Sequence, residues 1–560
     1  LYRFVEIRGS FSLAYLIPQV RSFYSSAKHL GVGKVVVLGL IILGYLAILF
    51  HAFATYAKLS PTFWILASLS MIGSFTQVFL LTPQRRREAC NFFILEEWKL
   101  LTSFKRKTKS PLCLDEEIMP KKEKFEPISS YYPLLKYTNG FFGEKNFDLN
   151  IRKDAKPHVI FICLESFRAK NVGFTHEDVG ATPQFDQLCR EGIYFQNFHS
   201  NAVLTDKALF PIYFGILPRD EKSVVAQNSE KGLICLSHHF HQNGYQSAFF
   251  QAGDLSFQNH GQFLRPHFNT IVGKEIITEK FPKSTSSSWG MHDEFLFEYG
   301  FDWLQEQTKP SFLTLFTITS HHPWLIPSTY HPPEFESART THEEQYLQAI
   351  HYTDFCLEKF VRRLKEKGLS KNCILFIFGD HGHPVGRETG VMQKTLYDEN
   401  IKIPLLIWGD DLFSSPQVIS ETGSQVDLYP TVLDMMDWQG VNHSIGTSLM
   451  RKASRSAYFQ IKDFSLLGCS EGEKKFIYNT SSKKVQLFDR SKDPKERIDL
   501  SEAYPTVVQG FKKRLDYVFH TFDELYSSHR LSPDPKKDKK LSFEAEKHLL
   551  YMNRGKMDVS

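Results

Sequence analysis

Along this chain, long unbroken apolar runs give way near Pro157 to short ones. Residues 34–57, "KVVVLGLIILGYLAILFHAFATYA", carry no charge after the first Lys, and residues 62–81, "TFWILASLSMIGSFTQVFLL", carry none. Each matches the roughly 20 residues that a helix needs to cross a hydrocarbon core. Residues 34–82 are therefore read as two transmembrane helices, and 1–33 as a truncated membrane-proximal segment. Leu rather than Met at position 1 predicts a reading frame that starts further upstream. Next, "NFFILEEWKLLTSFKRK" sets Phe93, Ile94, Trp98 and Leu101 near one helical face, the pattern of a helix lying in a membrane interface. With the Pro-rich, charged stretch behind it, 83–150 reads as interfacial helix plus linker.

From Pro157 on, short apolar runs alternate with amphipathic stretches, which predicts an α/β domain with a mostly parallel sheet over 151–525. Predicted strands fall at 159–164, 247–250, 312–319, 373–378 and 403–408. Between them, "TPQFDQLCREG" and "TDFCLEKFVRRLKEKG" have helical periodicity and stop at Gly. After residue 525, "SPDPKKDKK" begins a basic, weakly ordered tail, 526–560.

Three of the strands end in chemistry. The first runs into Glu165, the third into His321-His322, and the fourth, "ILFIFGDHGHP", into Asp380-His381. Ligands of open α/β sheets bind at the carboxyl ends of strands, so these side chains converge on one edge. A carboxylate, a carboxylate–imidazole pair and an imidazole pair together make a divalent-metal site, with oxygen and nitrogen donors suiting Zn²⁺ or Mn²⁺ better than Ca²⁺. Thr205, in "NAVLTDKALFPIYFGILP", stands at an expected helix N-cap with Asp206 in the first turn. Its hydroxyl either caps the helix or, beside a metal, serves as a nucleophile. Pro211 is expected to kink or end that helix.

Composition narrows the partners. With 67 basic and 62 acidic residues the net charge is +5, which gives no case for nucleic acid. Eight cysteines without a CxxC pair supply neither a zinc framework nor a disulfide scaffold. Cys163 and Cys373, inside apolar runs, read as small core residues.

The strings "VIFICLES", "TPQFDQL", "REGIYFQNFHSNAVLTDKALFPIYFGILP", "TSHHPW", "FGDHG" and "SQVDLYPTVLDM" resemble the sulfatase-like branch of the alkaline-phosphatase superfamily, and within it the lipoteichoic acid synthase and phosphoglycerol transferase group. The resemblance covers roughly Pro157 to Leu525. It implies an alkaline-phosphatase-like fold preceded by transmembrane helices. It also implies one divalent metal ion held by Glu165, Thr205, Asp380 and His381, manganese ahead of zinc or magnesium. Thr205 would be the catalytic nucleophile and His321 the substrate-binding residue on the phosphate. The activity implied is transfer of a phospho-alcohol headgroup from a membrane phospholipid donor to a glycan or lipid acceptor. The localisation implied is a multi-pass cell-membrane protein with its catalytic domain extracytoplasmic.

Two departures bear on that transfer. Where that group has a His, a Trp and an Arg, this chain has Gln251, Gln258 and His260, so the bidentate phosphate clamp of the Arg is lost. Arg85–Arg87 directly follows the second span and, by the positive-inside tendency, would place the domain in the cytoplasm; lying on anionic headgroups, the triplet is compatible with the outside. The rival on the same fold is a hydrolase, a phosphodiesterase or sulfuric-ester hydrolase. A formylglycine sulfatase needs C/S-x-P-x-R, and Leu204-Thr205-Asp206-Lys207-Ala208 does not supply it. His322 and His383 are further candidates for substrate contact, or hydrogen-bonded neighbours of the site.

Overall fold

The computed structural model describes residues 118–533, apart from 120, 151–155, 176–179, 219–231, 283, 288, 339, 386–394 and 462–464. The two expected spans, the interfacial helix, Arg85–Arg87 and the tail from 534 lie outside the described residues. Among the described residues, no helix is long and apolar enough to cross a membrane.

The described chain enters through β1 (Glu123–Pro127) and β2 (Lys136–Phe141), which pair antiparallel. Residues read from sequence as linker thus begin folding by Glu123. Nine strands then build the main sheet: β3 (His158–Leu164), β4 (Ile193–His199), β5 (Gln246–Gln251), β6 (Thr270–Val272), β7 (Ser311–Phe316), β8 (Cys373–Gly379), β9 (Lys402–Trp408), β10 (Gln417–Ile419) and β11 (Gly423–Ser424). Their order is β10-β4-β9-β8-β3-β7-β5-β6, with β11 also on β4. From β8 to β6 all pairs are parallel. Strand β9 runs antiparallel to both neighbours, so the sheet is mixed.

The apolar runs are continuous because the central strands are buried on both faces. Val159, Phe161 and Cys163 of β3 enter one core with Phe376 and Phe378, whereas Ile160, Ile162 and Leu164 enter a second with Leu375 and Ile377. The helix Thr341–Glu366 covers the second core with Tyr346, Ile350, Leu357, Phe360 and Leu364. Thr340 caps it, its side chain accepting from the Glu343 N–H at 3.1 Å. Cys163 and Cys373 are buried free thiols in these cores, as their setting predicts.

After the sheet, β12 (Gly440–Asn442) returns to pair with β2. An antiparallel sheet follows: β13 (Ala457–Ile461), β14 (Leu466–Glu471), β15 (Lys474–Asn479) and β16 (Val485–Asp489). The helix Pro505–Ser527 packs on it, with Phe511 stacked on Phe476 at 5.7 Å. Neither small sheet is anticipated by the sequence reading.

Candidate metal and catalytic site

Glu165 is the first residue beyond β3 and Asp380 the first beyond β8. These strands are parallel neighbours in register, Leu164 opposite Gly379, so both carboxylates leave the sheet at the same edge. His381 follows at once. Ligand atoms of Glu165, Asp380 and His381 all lie within 4.8 Å of one another, and the residues are 1, 0 and 6% exposed.

Their hydrogen bonds leave a gap of one kind. Asp380 Oδ1 accepts from the backbone N–H groups of Ser166 at 2.8 Å and His381 at 2.7 Å, while Oδ2 is buried with no partner. Glu165 Oε1 accepts from the Ser166 hydroxyl at 2.6 Å. His381 Nδ1 lies 2.7 Å from the Gly382 carbonyl oxygen, which can only accept, so Nδ1 carries the proton and Nε2 keeps a lone pair. That lone pair lies 3.4 Å from Asp380 Oδ2 and 4.0 Å from Glu165 Oε1. Acceptors facing one another at these distances need a proton or a cation between them. Burial first, then the Glu165 charge, pushes the Asp380 carboxyl up to about 7, with His381 pulling the other way. Two carboxylates, one of them with an orphaned oxygen, and one imidazole lone pair fit a small divalent cation.

Thr205 is not the N-cap that the sequence predicts. Leu204 occupies that position, its carbonyl taking the N–H groups of Lys207 and Ala208, and Thr205 opens the helix Thr205–Phe214. Its hydroxyl makes no capping bond; it donates to Glu165 Oε2 at 3.2 Å. The helix also runs through Pro211 without ending, and stops at Gly215, whose φ of +65° favours glycine. Of the four expected ligands, three therefore share a cluster and the fourth is hydrogen-bonded to it.

His321 stands outside that cluster. It follows β7 by a loop laced to Glu165: Thr317 Oγ1 accepts from the Glu165 N–H at 2.9 Å and the Ser320 hydroxyl donates to the Glu165 carbonyl at 2.5 Å. These bonds explain why the strand stops at Phe316 rather than Thr319. The partly exposed His321 ring packs on Trp289 at 4.3 Å, with Nδ1 2.7 Å from the His322 carbonyl, which can only accept, so Nδ1 carries the proton. His322 is exposed, edge-on to Trp324. His383 is buried between Trp324 and Tyr346, where burial and then His381 push it down to about 3; it is a neutral packing group beneath the site. Gln251 ends β5 on the same edge, with His260 beside it; the Gln258 side chain lies outside the described ones.

Sequence reasoning passes over Ser166. It adopts a left-handed φ of 52°, a conformation that non-glycine residues rarely take and that recurs at functional sites. From there it reaches both carboxylates at once. The Tyr346 hydroxyl donates to its carbonyl at 2.6 Å, and Arg168 stacks over the Tyr346 ring at 4.7 Å. The only signal in the sequence is a small polar residue directly after Glu165.

The chain belongs to the Sulfatase family, whose family model matches residues 157–438. It is 24% identical over 293 residues to the lipoteichoic acid synthase-like YvgJ of Bacillus subtilis, covering 50% of this chain and 47% of that one. The chain spans about half the length of the curated relatives it matches first. Among solved structures, a protein in the alkaline phosphatase superfamily from Vibrio parahaemolyticus superposes with a TM-score of 0.58 at 19% identity, over 76% of this chain and 94% of that one. The lipoteichoic acid synthase LtaP from Listeria monocytogenes gives 0.55 at 18%, over 68% and 96%. The fold is thus alkaline-phosphatase-like, in a metal-dependent enzyme family.

Proposed function

We propose that this chain is a membrane-anchored transferase that moves a phospho-alcohol headgroup, phosphoglycerol-like, from a membrane phospholipid to a glycan or lipid acceptor. The observation that carries this reading is the Thr205 hydroxyl, bound to Glu165 instead of to its own helix. Glu165, Asp380, His381 and Thr205 would hold one divalent ion; the donor set suits zinc or manganese better than calcium, and the family resemblance puts manganese ahead of zinc or magnesium. When bound, the ion offsets negative charge on the phosphoryl oxygens and lowers the pKa of a neighbouring hydroxyl.

Thr205 Oγ1 attacks phosphorus, its proton already directed at Glu165 Oε2. The bond to the diacylglycerol oxygen breaks and that oxygen takes up a proton, leaving the headgroup as a phosphodiester on Thr205. An acceptor hydroxyl then displaces Thr205 and restores it. His321, whose Nδ1 is taken up by the His322 carbonyl and whose Nε2 is left as the reactive nitrogen, binds the phosphate or passes the proton. Likeness to a lipoteichoic acid synthase-like relative supports a lipid donor and an extracytoplasmic domain behind the two apolar spans. Membership of the Sulfatase family supports a second reading, a hydrolase in which water takes the acceptor's place.

The test is mass spectrometry of the purified protein after incubation with a phospholipid extract, seeking a headgroup adduct on Thr205. Thr205→Ala should abolish adduct and turnover while the protein stays folded, and Thr205→Ser should keep a measurable fraction. A lost cap costs only about 0.5–2 kcal/mol of stability, so it cannot mimic a loss of many orders of magnitude in rate. Near-normal activity in folded, metal-loaded Thr205→Ala would end the covalent route. Release of free headgroup phosphate, with no product on any added acceptor, would select the hydrolase.

A further inference from the structure

The sheet fixes the metal ligands against one another, but it does not fix Thr205 against them. Glu165 and Asp380 follow neighbouring strands, and the Asp380 N–H donates to the Leu164 carbonyl at 3.1 Å. Thr205 follows β4, which β9 separates from β8 in the strand order. Its chain leaves the sheet at Ser200, whose N–H donates to the Ile401 carbonyl at 2.8 Å, and comes to the cluster through residues 201–204. The hydroxyl bond to Glu165, at 3.2 Å, is a weak anchor. An attacking group misplaced by 1 Å can lose about 10²-fold in rate, so a firmer one is needed.

Gln425 spans that gap. Strand β11 runs parallel to β4 with Ser424 opposite His199, so the two chains leave the sheet side by side. A capping box then turns the first of them: the Ser424 N–H donates to Asp427 Oδ2 at 2.8 Å, and Gln425 opens a single helical turn, fully buried. Its Nε2 donates to the carbonyls of Gly379 at 3.1 Å and Asp380 at 2.6 Å, and its Oε1 accepts from the Asn201 N–H at 3.2 Å. Asn201, also buried, returns the exchange. Its Oδ1 accepts from the Val426 N–H at 3.1 Å, and its Nδ2 donates to the Tyr458 carbonyl of β13 at 2.8 Å. Two carbonyls and one N–H require two donors and an acceptor on one uncharged group, which only a carboxamide side chain carries.

We infer that the Gln425–Asn201 brace sets the Thr205 hydroxyl in line for attack, with Gln425 the positioning residue. It acts through the Asp380 backbone on one side and the turn before Thr205 on the other. This rests on Thr205 being the attacking hydroxyl, and not on which ester it attacks. It also gives a task to "SQVDLYPTVLDM", a string that holds neither a metal ligand nor a nucleophile. A division of labour follows. The register of β3 with β8 holds Glu165 and Asp380 together, so cation binding survives loss of the brace, whereas the approach of the hydroxyl does not. A contact that only stabilised the fold would weaken both alike.

The test measures binding by the full chain loaded with manganese, so it needs no turnover. Orthovanadate expands to five oxygens when a hydroxyl adds to it, mimicking the transition state, whereas inorganic phosphate binds without that addition. Calorimetry of the unaltered protein should show a preference for vanadate, and Thr205→Ala should abolish it. Gln425→Met keeps the chain length and removes all three bonds; it should lower vanadate affinity by about 10²-fold, with manganese and phosphate affinities changed far less. Asn201→Ala removes the returning half of the brace without touching the Asp380 carbonyl. It should lower vanadate affinity by a smaller factor, which covers the case in which Gln425→Met fails to fold. Unchanged vanadate affinity in the folded variant overturns the inference. So does a fall shared equally by manganese, phosphate and vanadate, or a failure of both variants to fold. The expected pattern, with no headgroup adduct on Thr205 from a phospholipid extract, upholds the brace and overturns the lipid-donor reading. No preference for vanadate in the unaltered protein, or one that survives Thr205→Ala, overturns both.

Discussion

The protein buries charge in two places and wires them in opposite ways. Where the small antiparallel sheet meets the main one, Lys475 on β15 is fully buried with Nζ 2.8 Å from Asp398 Oδ1 and 2.6 Å from Glu496 Oε1. Arg490 Nη1 lies 3.4 Å from Asp398 Oδ2 and 2.9 Å from His199 Nε2. Two cations thus meet two carboxylates. Against the cost of burial, Lys475 and Arg490 hold the Asp398 carboxyl well below its usual range. At the strand ends, Glu165 and Asp380 meet an imidazole lone pair and a hydroxyl, with Asp380 Oδ2 unpaired and its carboxyl pushed up by burial and by Glu165. Burial of charge is common to both. What marks the functional cluster is charge left without a counter-ion: the first cluster joins two parts of the fold, and the second waits for a ligand.

That contrast is broken most directly by neutralising one carboxylate in the second cluster. Asp380→Asn should lower turnover by roughly 10³-fold or more, since charge stabilisation by a metal is worth several kcal/mol. Elemental analysis should show the bound metal lost. Because the substitution also removes a buried repulsion, the metal-free variant should melt no lower than the metal-free parent. A marked fall in its melting temperature, with metal retained, would make this cluster structural like the other.

The mirror-image experiment is Lys475→Met. It takes the buried cation from Glu496 and leaves Asp398 with Arg490, and should cost about 3–5 kcal/mol of stability, read by denaturant unfolding, while the folded variant keeps its metal. Protonation of Glu496, whose carboxyl burial raises to about 7, will soften the cost at acidic pH. Loss of metal from well-folded Lys475→Met would show that the two clusters are not separate.

Ser166→Ala comes third. It deletes the hydroxyl bond to Glu165 Oε1 but keeps the backbone N–H on Asp380 Oδ1. Supporting bonds to metal ligands are typically worth 10–100-fold in affinity or activity. Metal affinity should therefore fall by roughly that factor, with little change in unfolding free energy. Unchanged affinity would reduce Ser166 to a turn residue.

How far the sequence reaches follows from what each feature depends on. Strands β3 and β8 are legible because both faces are buried, and a strand's end fixes where Glu165 and Asp380 emerge. The direction of β9 is not legible, because an apolar run reads the same whichever way it is threaded. Strands β13 to β16 are short and mix Lys, Gln and Ser with apolar residues, so their period is too weak to separate from loop. The role of Thr205 cannot be settled locally, since its partner Glu165 lies forty residues away in the chain. A left-handed Ser166 leaves no pattern at all. His260 is legible as a departure from expectation, but its contact with Gln251 is not.

The smallest effect expected separates the two clusters by pH. In metal-free protein the Asp380 carboxyl has a folded pKa of about 7 against an ordinary value of 3.8. A carboxyl raised on folding binds more protons in the native state than in the unfolded one between those values, so stability falls as pH rises through that window. His381 acts in the same sense: although burial lowers its pKa, Asp380 and Glu165 raise it overall, and the stability it contributes below its unfolded pKa is lost as pH rises through the folded one. Metal-free protein should therefore melt a few degrees lower at pH 7.5 than at pH 5.5, a shift of the size that about 1–2 kcal/mol produces in a large domain. Saturating manganese should reduce the difference, because the ion replaces the protons that otherwise hold these groups together. In the other cluster Asp398, already ionised throughout this range, should add nothing, whereas Glu496, raised to about 7 by burial, should add a slope that manganese leaves unchanged. If the slope persists unchanged with manganese bound, the titrating groups lie elsewhere and the strand-end cluster is not where the metal sits.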